Sequence, residues 1–393
     1  MTCQGLPLAI LTLAQLMSTK GHNPREWNDI LQSLSSKLED VNQILLLSYN
    51  CLPTHLKFCF LYCAMLPKNR RIKINNLIRL LVAEGFVTEI PGQTLEAVAK
   101  EYFFELSYRS LLHIITHRIS REPDYYQMHD LLRDVAFHVI GKGNFGVIFS
   151  DQICELESKS KSRRLVIYET TPYTELDMSN WKLRSLHVFR ANSFNFSQSQ
   201  MLQSIKLLRV LHLENVSIES LPDEMGNLIQ LRFLGLKCTN ISKLPTSLRK
   251  LCHLQTLDIR GTQVDSLPDG IAELQQLRHL ICSTNVRVSN LTFQSTQLQT
   301  LSGMSLNCSQ ARELGQLTQL RKLKVSVIEV KDCSELCASI EKLPNLESLT
   351  VRTTWNSEFH RPGGLERLLA PRFLEKLVLK GMLKTTARFF RHS

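Results

Sequence analysis

The stretch that decides the fold reads LRVLHL at residues 208–213, LRFLGL at 231–236, LQTLDI at 254–259 and LRHL at 277–280. The starting positions of these segments are separated by one constant interval. A second mark, the dipeptide Leu-Pro, keeps the same interval at Pro222, Pro245 and Pro268. Two marks that stay in phase over several steps indicate a repeating structural unit.

A period of this length with the pattern LxxLxL is typical of leucine-rich repeats. The last two apolar residues of each unit, such as Leu211 and Leu213, are two apart and therefore face one side of a short strand. One unit cannot bury that face alone, so neighbouring units must stack. An amphipathic helical array is the alternative, but the Leu-Pro step would interrupt its helices at a fixed phase.

Position nine of the repeat carries Thr239 and then Thr262, and we expect both hydroxyls to bond the backbone of the turn. The first of the regular units has Val216 there instead. We place the start of the repeats near Ser162, and we expect the period to loosen after residue 280. The insertions in that part, such as residues 285–297, are predicted to form loops.

Bulk composition restricts the class of protein. The chain has 393 residues, is 43% hydrophobic and has a formal net charge of +11, which permits two or three domains and contact with acidic partners. No 18-residue apolar run or secretory signal is found, so we predict no transmembrane helix. The 11 scattered cysteines favour a reducing compartment. We therefore expect a cytoplasmic protein, with peripheral plasma-membrane or nuclear placement as alternatives, and no specific nucleic-acid binding.

The part of the chain before the repeats has helical periodicity. We predict a helix after Pro7, another within 33–49, a buried helix before Pro67 and an amphipathic helix over 74–87 that ends near Gly85. A further helix over 94–112 is followed by a possible hairpin within 114–127. The segment after Met128 is predicted to be a helix that opens at Asp130, with that carboxylate as its cap. A loop is expected over 141–146 and a linker over 155–164.

Several short motifs occur in a fixed order before the repeats. They are GLPL at residues 5–8, CFLYCA at 59–64, LIRL at 77–80, AEGFV at 83–87 and MHD at 128–130. In this order the chain resembles the plant intracellular disease resistance receptors of the coiled-coil class, which join a nucleotide-binding NB-ARC module to leucine-rich repeats. The resemblance covers nearly the whole chain.

The resemblance implies a fold and a domain order. The fold class is α+β multidomain, in which a helical and winged-helix remnant of an NB-ARC module precedes a leucine-rich-repeat α/β solenoid. The implied domains are a helical part at 1–45, a winged-helix-like domain at 46–150, a linker at 151–162 and the solenoid at 163–393.

The resemblance also implies a nucleotide site. Pro7 would lie against the base of ADP or ATP, and His129 would reach the β-phosphate of ADP and hold the resting state. Gly5, Leu6, Leu8, Met128 and Asp130 complete the two switch motifs. A histidine donor beside a diphosphate is chemically sensible. From the residues alone, two alternatives stay open: Pro7 as a helix starter and His129 as an ordinary residue at a helix start.

The family pattern is incomplete in this sequence. No phosphate-binding loop GxxxxGK[ST], no strand ending in paired aspartates and no coiled-coil segment is present, and Leu81 stands where the family commonly has tryptophan. We therefore expect a receptor truncated at its N-terminus that is not an enzyme and binds ADP or ATP weakly or not at all. No metal is expected, because Cys59 and Cys63 lack a second pair of matching spacing and are better explained by core packing. His113 and His117 likewise lack partner ligands.

A concave strand face is the predicted sensing surface for a pathogen effector, a guarded host protein or the missing half of the receptor. Its outward residues are His212, Glu214, Phe233, Lys237, Asp258, Arg260, His279, Lys322, Lys324, Arg352, Lys376 and Lys380. The run of lysines predicts either an acidic partner or an intramolecular acidic surface, with a solvated charged face as the alternative.

The function that this pattern favours is pathogen sensing in plant innate immunity, with ADP/ATP-switch regulation through the NB-ARC remnant. Two rivals stay open. One is a nucleotide-independent leucine-rich-repeat adaptor, scaffold or decoy, and the other is an ATPase in its own right.

Overall fold

The computed structural model describes residues 7–19, 24–25, 27–28, 41–68, 72–116, 123–149, 162–168, 181–191, 202, 204–288, 297–327, 330–353 and 371–380. By internal contacts the chain divides into two compact units. The first contains residues 1–149 and 153–166, and the second contains residues 150–152 and 167–393. Across the described ranges, no helix has the length and apolar character that a membrane crossing requires.

The first unit consists of helices and a small antiparallel hairpin. Its described elements are helices α1 (Pro7–Ser18), α2 (Val41–Asn50), α3 (Thr54–Met65), α4 (Ile74–Glu84) and α5 (Leu95–Tyr108), strands β1 (His113–Thr116) and β2 (Pro123–Gln127), helix α6 (Asp130–Lys142) and strand β3 (Val147–Phe149). The hairpin pairs Ile114 with Tyr126 and Ile115 with Tyr125. This succession of helices, hairpin and final helix is the winged-helix arrangement that the sequence predicted.

Local chemistry explains where these helices begin and end. Pro53 precedes α3 and cannot continue a preceding helix. Thr94 caps α5, since its hydroxyl accepts from the Ala97 amide at 3.2 Å. Gly85 ends α4 in the left-handed region at φ 81°, as predicted. The predicted loop at 141–146 is partly wrong, because α6 continues through Lys142 and the loop begins only at Gly143.

A buried arginine anchors residues 162–166 to the first unit. Arg164 donates from Nε to Glu84 Oε2 at 3.1 Å, and its side chain is 9% exposed while that of Glu84 is fully buried. Its guanidinium also donates to the Phe145 carbonyl at 3.1 Å and lies 4.7 Å from the Phe86 ring centroid and 4.4 Å from that of Phe145. The linker predicted over 155–164 therefore extends too far, because Arg164, a buried charge with these partners, belongs to a folded core. Residues 150–161 lie outside the described residues.

The second unit is built on a parallel sheet. Its described strands, together with β4 (Arg164–Tyr168), which contains the unit boundary, are β5 (Ser185–Phe189), β6 (Val210–Glu214), β7 (Phe233–Gly235), β8 (Thr256–Ile259), β9 (Ser266–Leu267), β10 (His279–Val288), β11 (Thr300–Leu306), β12 (Lys322–Val327), β13 (Ser348–Thr353) and β14 (Lys376–Lys380). From β5 to β14 the neighbours pair in chain order, except that β8 pairs directly with β10 and the short β9 pairs with the end of β10. Helices α7 (Cys308–Glu313) and α8 (Val330–Ile340) lie between the later strands.

The leucines of successive repeats form one continuous column. Leu211 is paired with Leu234 and Leu234 with Leu257, and all three are fully buried. The same register continues through residues 280, 301, 323, 349 and 377. The predicted stack of repeats is thus confirmed in the later, less regular part as well as in the four matching segments.

The wall opposite the strands is formed by short helical turns. Pro222, Pro245 and Pro268 each precede a 3-10 helix, respectively Asp223–Asn227, Thr246–Lys250 and Asp269–Ile271. A fourth such turn is Leu314–Gln316. Proline suits these positions because its ring fixes φ and because it has no amide hydrogen that would need an acceptor.

The turn after each regular strand has a fixed design. The hydroxyl of Thr239 donates to the Leu236 carbonyl at 2.9 Å, and that of Thr262 donates to the Ile259 carbonyl at 2.8 Å, as the sequence predicted. One residue earlier the backbone is left-handed, with φ 55° at Cys238 and 73° at Gly261. A Cβ on Gly261 would lie 2.8 Å from Cys238 Sγ, so the positive φ and the close neighbouring turn both favour glycine there.

The insertion predicted to form a loop over 285–297 is partly strand. β10 continues to Val288 and adds the pairing of Val286 with Met304 after a register shift. Gly303 lies at this irregularity with φ 90°, and a Cβ there would lie 2.1 Å from the Ser283 carbonyl oxygen. Residues 289–296 lie outside the described residues.

The Arg164 anchor can be tested by removing one partner. Arg164→Ala should lower the free energy of unfolding of the first unit by about 3–5 kcal/mol, because Glu84 would be left buried without its cation. Arg163 is exposed, so Arg163→Ala is the matched control and should cost less than about 0.5 kcal/mol. Adding Glu84→Gln to the Arg164→Ala variant should restore part of the loss. Urea unfolding of the full chain measures all three, and equal costs for the two alanine variants would refute the anchor.

Candidate functional site

His129 begins helix α6 as its N-terminal cap. Its Nδ1 accepts from the Leu131 amide at 3.2 Å, and the residue is exposed. Because Nδ1 accepts this bond, the neutral imidazole carries its proton on Nε2 and offers a donor there. The prediction that Asp130 caps this helix is therefore wrong, since the position and the hydrogen bond belong to His129.

Asp130 is the first residue inside the helix and forms an ion pair instead. Its Oδ2 lies 2.8 Å from Lys68 Nζ, and both side chains are more than half exposed. The hydrogen bond from Lys68 lowers the pKa of the Asp130 carboxyl. Met128 is buried, so the three residues of this motif have three different environments.

Pro7 is the first residue of α1 and is exposed, and Leu8 is half-buried. This is a favourable place for proline because the first amide of a helix has no partner within the helix. Gly5 and Leu6 lie outside the described residues. Contact of Pro7 with a nucleobase stays a prediction.

The cysteine and histidine pairs form no metal site within the described ranges. Cys59 and Cys63 are buried in α3, and burial raises the pKa of the Cys59 thiol to about 12. Such thiols stay protonated and pack as small apolar groups. His113 is exposed at the start of β1, and His117 lies outside the described residues.

The strand face opposite the leucine column is packed with rings over β5 to β7. Phe189, His212 and Phe233 form edge-to-face contacts, with centroids 5.2 Å apart for the first pair and 5.7 Å for the second. His187 adds a contact of 3.4 Å between its Nδ1 and that of His212, which requires one of these nitrogens to donate and the other to accept. Gly235 leaves room for this layer, since a Cβ there would lie within 3 Å of both Phe233 and His212.

Charged residues next to the rings are paired within the same face. Lys237 contacts Glu214 of the preceding repeat, and Arg260 contacts Asp258 two residues earlier, with 2.8 Å between Arg260 Nε and Asp258 Oδ1. Glu214 and Asp258 are almost wholly buried, whereas Lys237 and Arg260 are about one-third exposed. This part of the predicted surface is therefore close to electrically neutral.

The exposure expected for the sensing face needs correction at several positions. His212, Glu214, Phe233, Asp258 and His279 are buried, each at 9% exposure or less. His279 is held by a 3.1 Å contact between its Nδ1 and Thr300 Oγ1. By contrast, Lys322, Lys324 and Arg352 are half-buried, and Lys376 and Lys380 are exposed. The recognition role of all these residues stays a prediction.

Two members of the ring layer were missed from the sequence. His187 pairs with His212, and Phe189 pairs with Glu214, so both occupy repeat positions already selected one unit later. Aligning the less regular unit Leu183–Val188 with the regular ones would have found them. These two residues were missed because the interval from this unit to the next is longer than the constant interval between the regular units.

Comparisons with known proteins agree with this geometry. The family model described as leucine-rich repeat region matches residues 182–392, and the one described as disease resistance protein winged helix domain matches residues 65–136. The chain belongs to the leucine-rich-repeat disease resistance proteins. Its resemblance to that family, inferred from the order of motifs, is confirmed.

Relatives in this family align along most of the chain. Disease resistance protein RPM1 of Arabidopsis thaliana is 38% identical over 99% of this chain, and disease resistance protein RPP8 of the same plant is 33% identical over 88% of it. The chain spans 44% and 40% of the length of these two relatives. Among solved structures, an assembly of Latrophilin 3, Unc5D and FLRT2 aligns at a TM-score of 0.41 and 18% identity, covering 59% of this chain and 79% of that chain.

The ring layer of this disease resistance protein predicts a pH dependence. Burial lowers the pKa of His212 from its ordinary value of 6.5, although Glu214 and Asp258 oppose the shift. The unfolded chain therefore binds the proton more readily, so this contribution to stability is complete above pH 6.5 and is lost as pH falls through the folded pKa. The free energy of unfolding should fall more between pH 7 and 5 in the wild type than in His212→Phe, which keeps a ring but cannot titrate.

Chemical denaturation at several pH values measures this difference. His253 is exposed, so His253→Phe is the matched control and should follow the wild-type profile. Parallel profiles for wild type and His212→Phe would contradict the assignment.

Proposed function

We propose that this chain senses a protein partner in plant innate immunity and carries the regulatory part of an ADP/ATP switch. The observation that carries the proposal is the union of a winged-helix domain and leucine-rich repeats in one chain, aligned over 99% of its length with a disease resistance protein. The partner class is a pathogen effector or a guarded host protein, bound by the repeats. Eight free cysteines among the described residues are compatible with the cytoplasmic location that we propose.

The switch proposal is supported by the chemistry of His129. Its Nδ1 is used by the Leu131 amide, which leaves Nε2 as a donor on an exposed residue. A phosphate oxygen of ADP would accept from such a donor. His129 would hold the nucleotide in this way, and Pro7 would contact the base. We propose weak nucleotide binding by this chain and negligible ATP hydrolysis.

A nucleotide-independent adaptor or decoy is the second candidate. It is favoured by the same residues in their other role, since His129 caps α6 and Pro7 begins α1. Both features would be retained in a scaffold that never meets a nucleotide. The two candidates therefore differ in what happens when His129 is changed.

Two variants of His129 separate capping from nucleotide contact. His129→Ser should keep the cap but remove the Nε2 donor, whereas His129→Ala removes both and should cost about 1 kcal/mol of stability. In a titration of the purified chain with labelled ADP, both variants should weaken binding by about tenfold, the loss of one hydrogen bond. Asp134 is exposed on α6, so Asp134→Ala is the matched control.

The outcome of the ADP titration distinguishes the nucleotide switch from the nucleotide-independent adaptor. No saturable ADP binding by the wild type supports the adaptor, and weakening by His129→Ala but not by His129→Ser assigns the residue to capping alone. ATP turnover that is abolished by either variant would overturn the non-catalytic proposal and favour an ATPase.

The immune role is tested in the plant. Disruption of the gene should raise the growth of at least one pathogen isolate, and the wild-type gene should reverse this. Leu234→Asp should not restore resistance, because a carboxylate in the buried leucine column destabilises the repeats. His253→Gln, at an exposed position, should restore it. Unchanged pathogen growth after disruption, across the isolates tested, would count against an immune role.

A further inference from the structure

The last three strands that the structure describes carry five cationic side chains on one face of the sheet. They belong to three adjacent parallel strands, β12, β13 and β14, and we name them the cationic face: Lys322, Lys324, Arg352, Lys376 and Lys380. The alternate residues of these strands, including Leu323, Val325 and Leu349, are buried in the leucine column or beside it. The cations therefore lie on the opposite side of the sheet.

The register sets how close these charges are. Lys322 and Lys376 both pair with Ser348 from either side, and Lys380 pairs with Arg352. Strands about 4.8 Å apart and a step of about 6.6 Å between alternate residues place all five within roughly 10 by 13 Å. That size is comparable with the screening length of about 10 Å at 0.1 M salt, so the charges act on one ligand together.

No carboxylate occupies this part of the face among the paired positions of β12 to β14. The remaining positions are Ser326, Ser348, Thr350 and Val378. Among the described residues directly before β13 and β14, the acidic ones are Glu347, which accepts from Arg321 at 3.0 Å, and Glu375. Arg352 and Lys380 lie directly opposite each other on neighbouring strands and carry like charges, so an anion bound beside them reduces their repulsion.

The contrast with the earlier strands is a matter of charge balance. On β6 and β8 the same face carries Glu214 and Asp258, which pair with Lys237 and Arg260 just after the ends of β7 and β8. On β12 to β14 the charged positions that the structure describes on this face are all positive. One sheet face thus has a neutral, packed part and a cationic part with exposed lysines at its last strand.

We propose that the cationic face binds an acidic polypeptide segment of the partner, an inference that rests on the proposed sensing function. An extended peptide places side chains four residues apart at about 13 Å, which matches the spacing of Lys376 and Lys380 along β14. Serine and threonine hydroxyls between the cations add hydrogen-bond donors for carboxylate oxygens. A single-stranded nucleic acid fits less well, because the described positions of the face include no aromatic ring on which a base would stack.

The test uses the full chain and a fluorescein-labelled peptide of ten glutamates. Binding is followed by anisotropy at 50 and 300 mM NaCl, with a neutral glycine-serine peptide and a ten-nucleotide thymidine DNA as comparison probes. Glutamate-peptide binding should be detected at 50 mM salt and weaken at 300 mM. The neutral peptide should not bind.

Charge reversal then locates the site. Lys376→Glu with Lys380→Glu should weaken glutamate-peptide binding by about tenfold or more. The matched control is Lys243→Glu with Lys250→Glu, at exposed lysines outside the cationic face, which changes the net charge equally and should weaken binding by less than about twofold. The milder pair Lys376→Gln with Lys380→Gln should give an intermediate loss, and unchanged thermal unfolding verifies that each variant is folded.

Three results would overturn the proposal. One is an absence of glutamate-peptide binding at 50 mM salt, and another is equal weakening by the two charge-reversal pairs, which would assign binding to net charge. The third is tighter binding of the DNA that is lost with Lys376→Glu and Lys380→Glu, which would make this a nucleic-acid face. Failure here is distinguishable from failure of the sensing function, because the gene-disruption test does not depend on the charge of the partner.

Discussion

The pairing of each strand with the next, leucine against leucine, is the constraint on which the second unit depends. Leu211, Leu234 and Leu257 are fully buried and in register, and the same pairing continues into strands whose spacing is irregular. A one-residue slip would move every leucine to the other side of the sheet. The turns that follow these strands share one backbone conformation, since Cys238 and Gly261 have positive φ at equivalent places.

Features that follow from a period or from local backbone chemistry were predictable from the sequence. The stacking of repeats, the two threonine turns, the hairpin and the end of α4 at Gly85 all depend on residues close in sequence or in repeat position. The position of Gly85 follows because few other residues adopt its backbone conformation at low cost.

The errors arose where another residue, either a neighbour or one far away in the sequence, takes the expected role or changes the environment. Asp130 is a good capping residue by type, but His129 precedes it and Lys68 engages its carboxylate. Arg164 follows a polar stretch that suggested a linker, yet Glu84 and Phe86, which lie far earlier in the sequence, bury it. The residues of the predicted sensing face were chosen by parity alone, which identifies the side of a sheet but not whether that side is covered.

The two parts of that sheet face differ in whether their side chains pack against one another or are exposed to solvent. Rings and internal ion pairs on β5 to β8 satisfy one another, so changes there affect stability first. Side chains on β12 to β14 are more exposed and of one sign, so changes there alter long-range attraction with less effect on the core. Repeats of one fold can thus take different tasks without a change in backbone design.

The buried position of Arg164 also bears on proteolysis. Residues 153–166 belong to the first unit, although the chain continues from there into the repeats. A protease cut just before residue 162 would break one peptide bond but leave the guanidinium held between Phe86, Phe145 and Glu84. The contacts of Arg164 do not depend on the peptide bond that such a cut would break, so the local packing around this side chain is independent of the preceding segment.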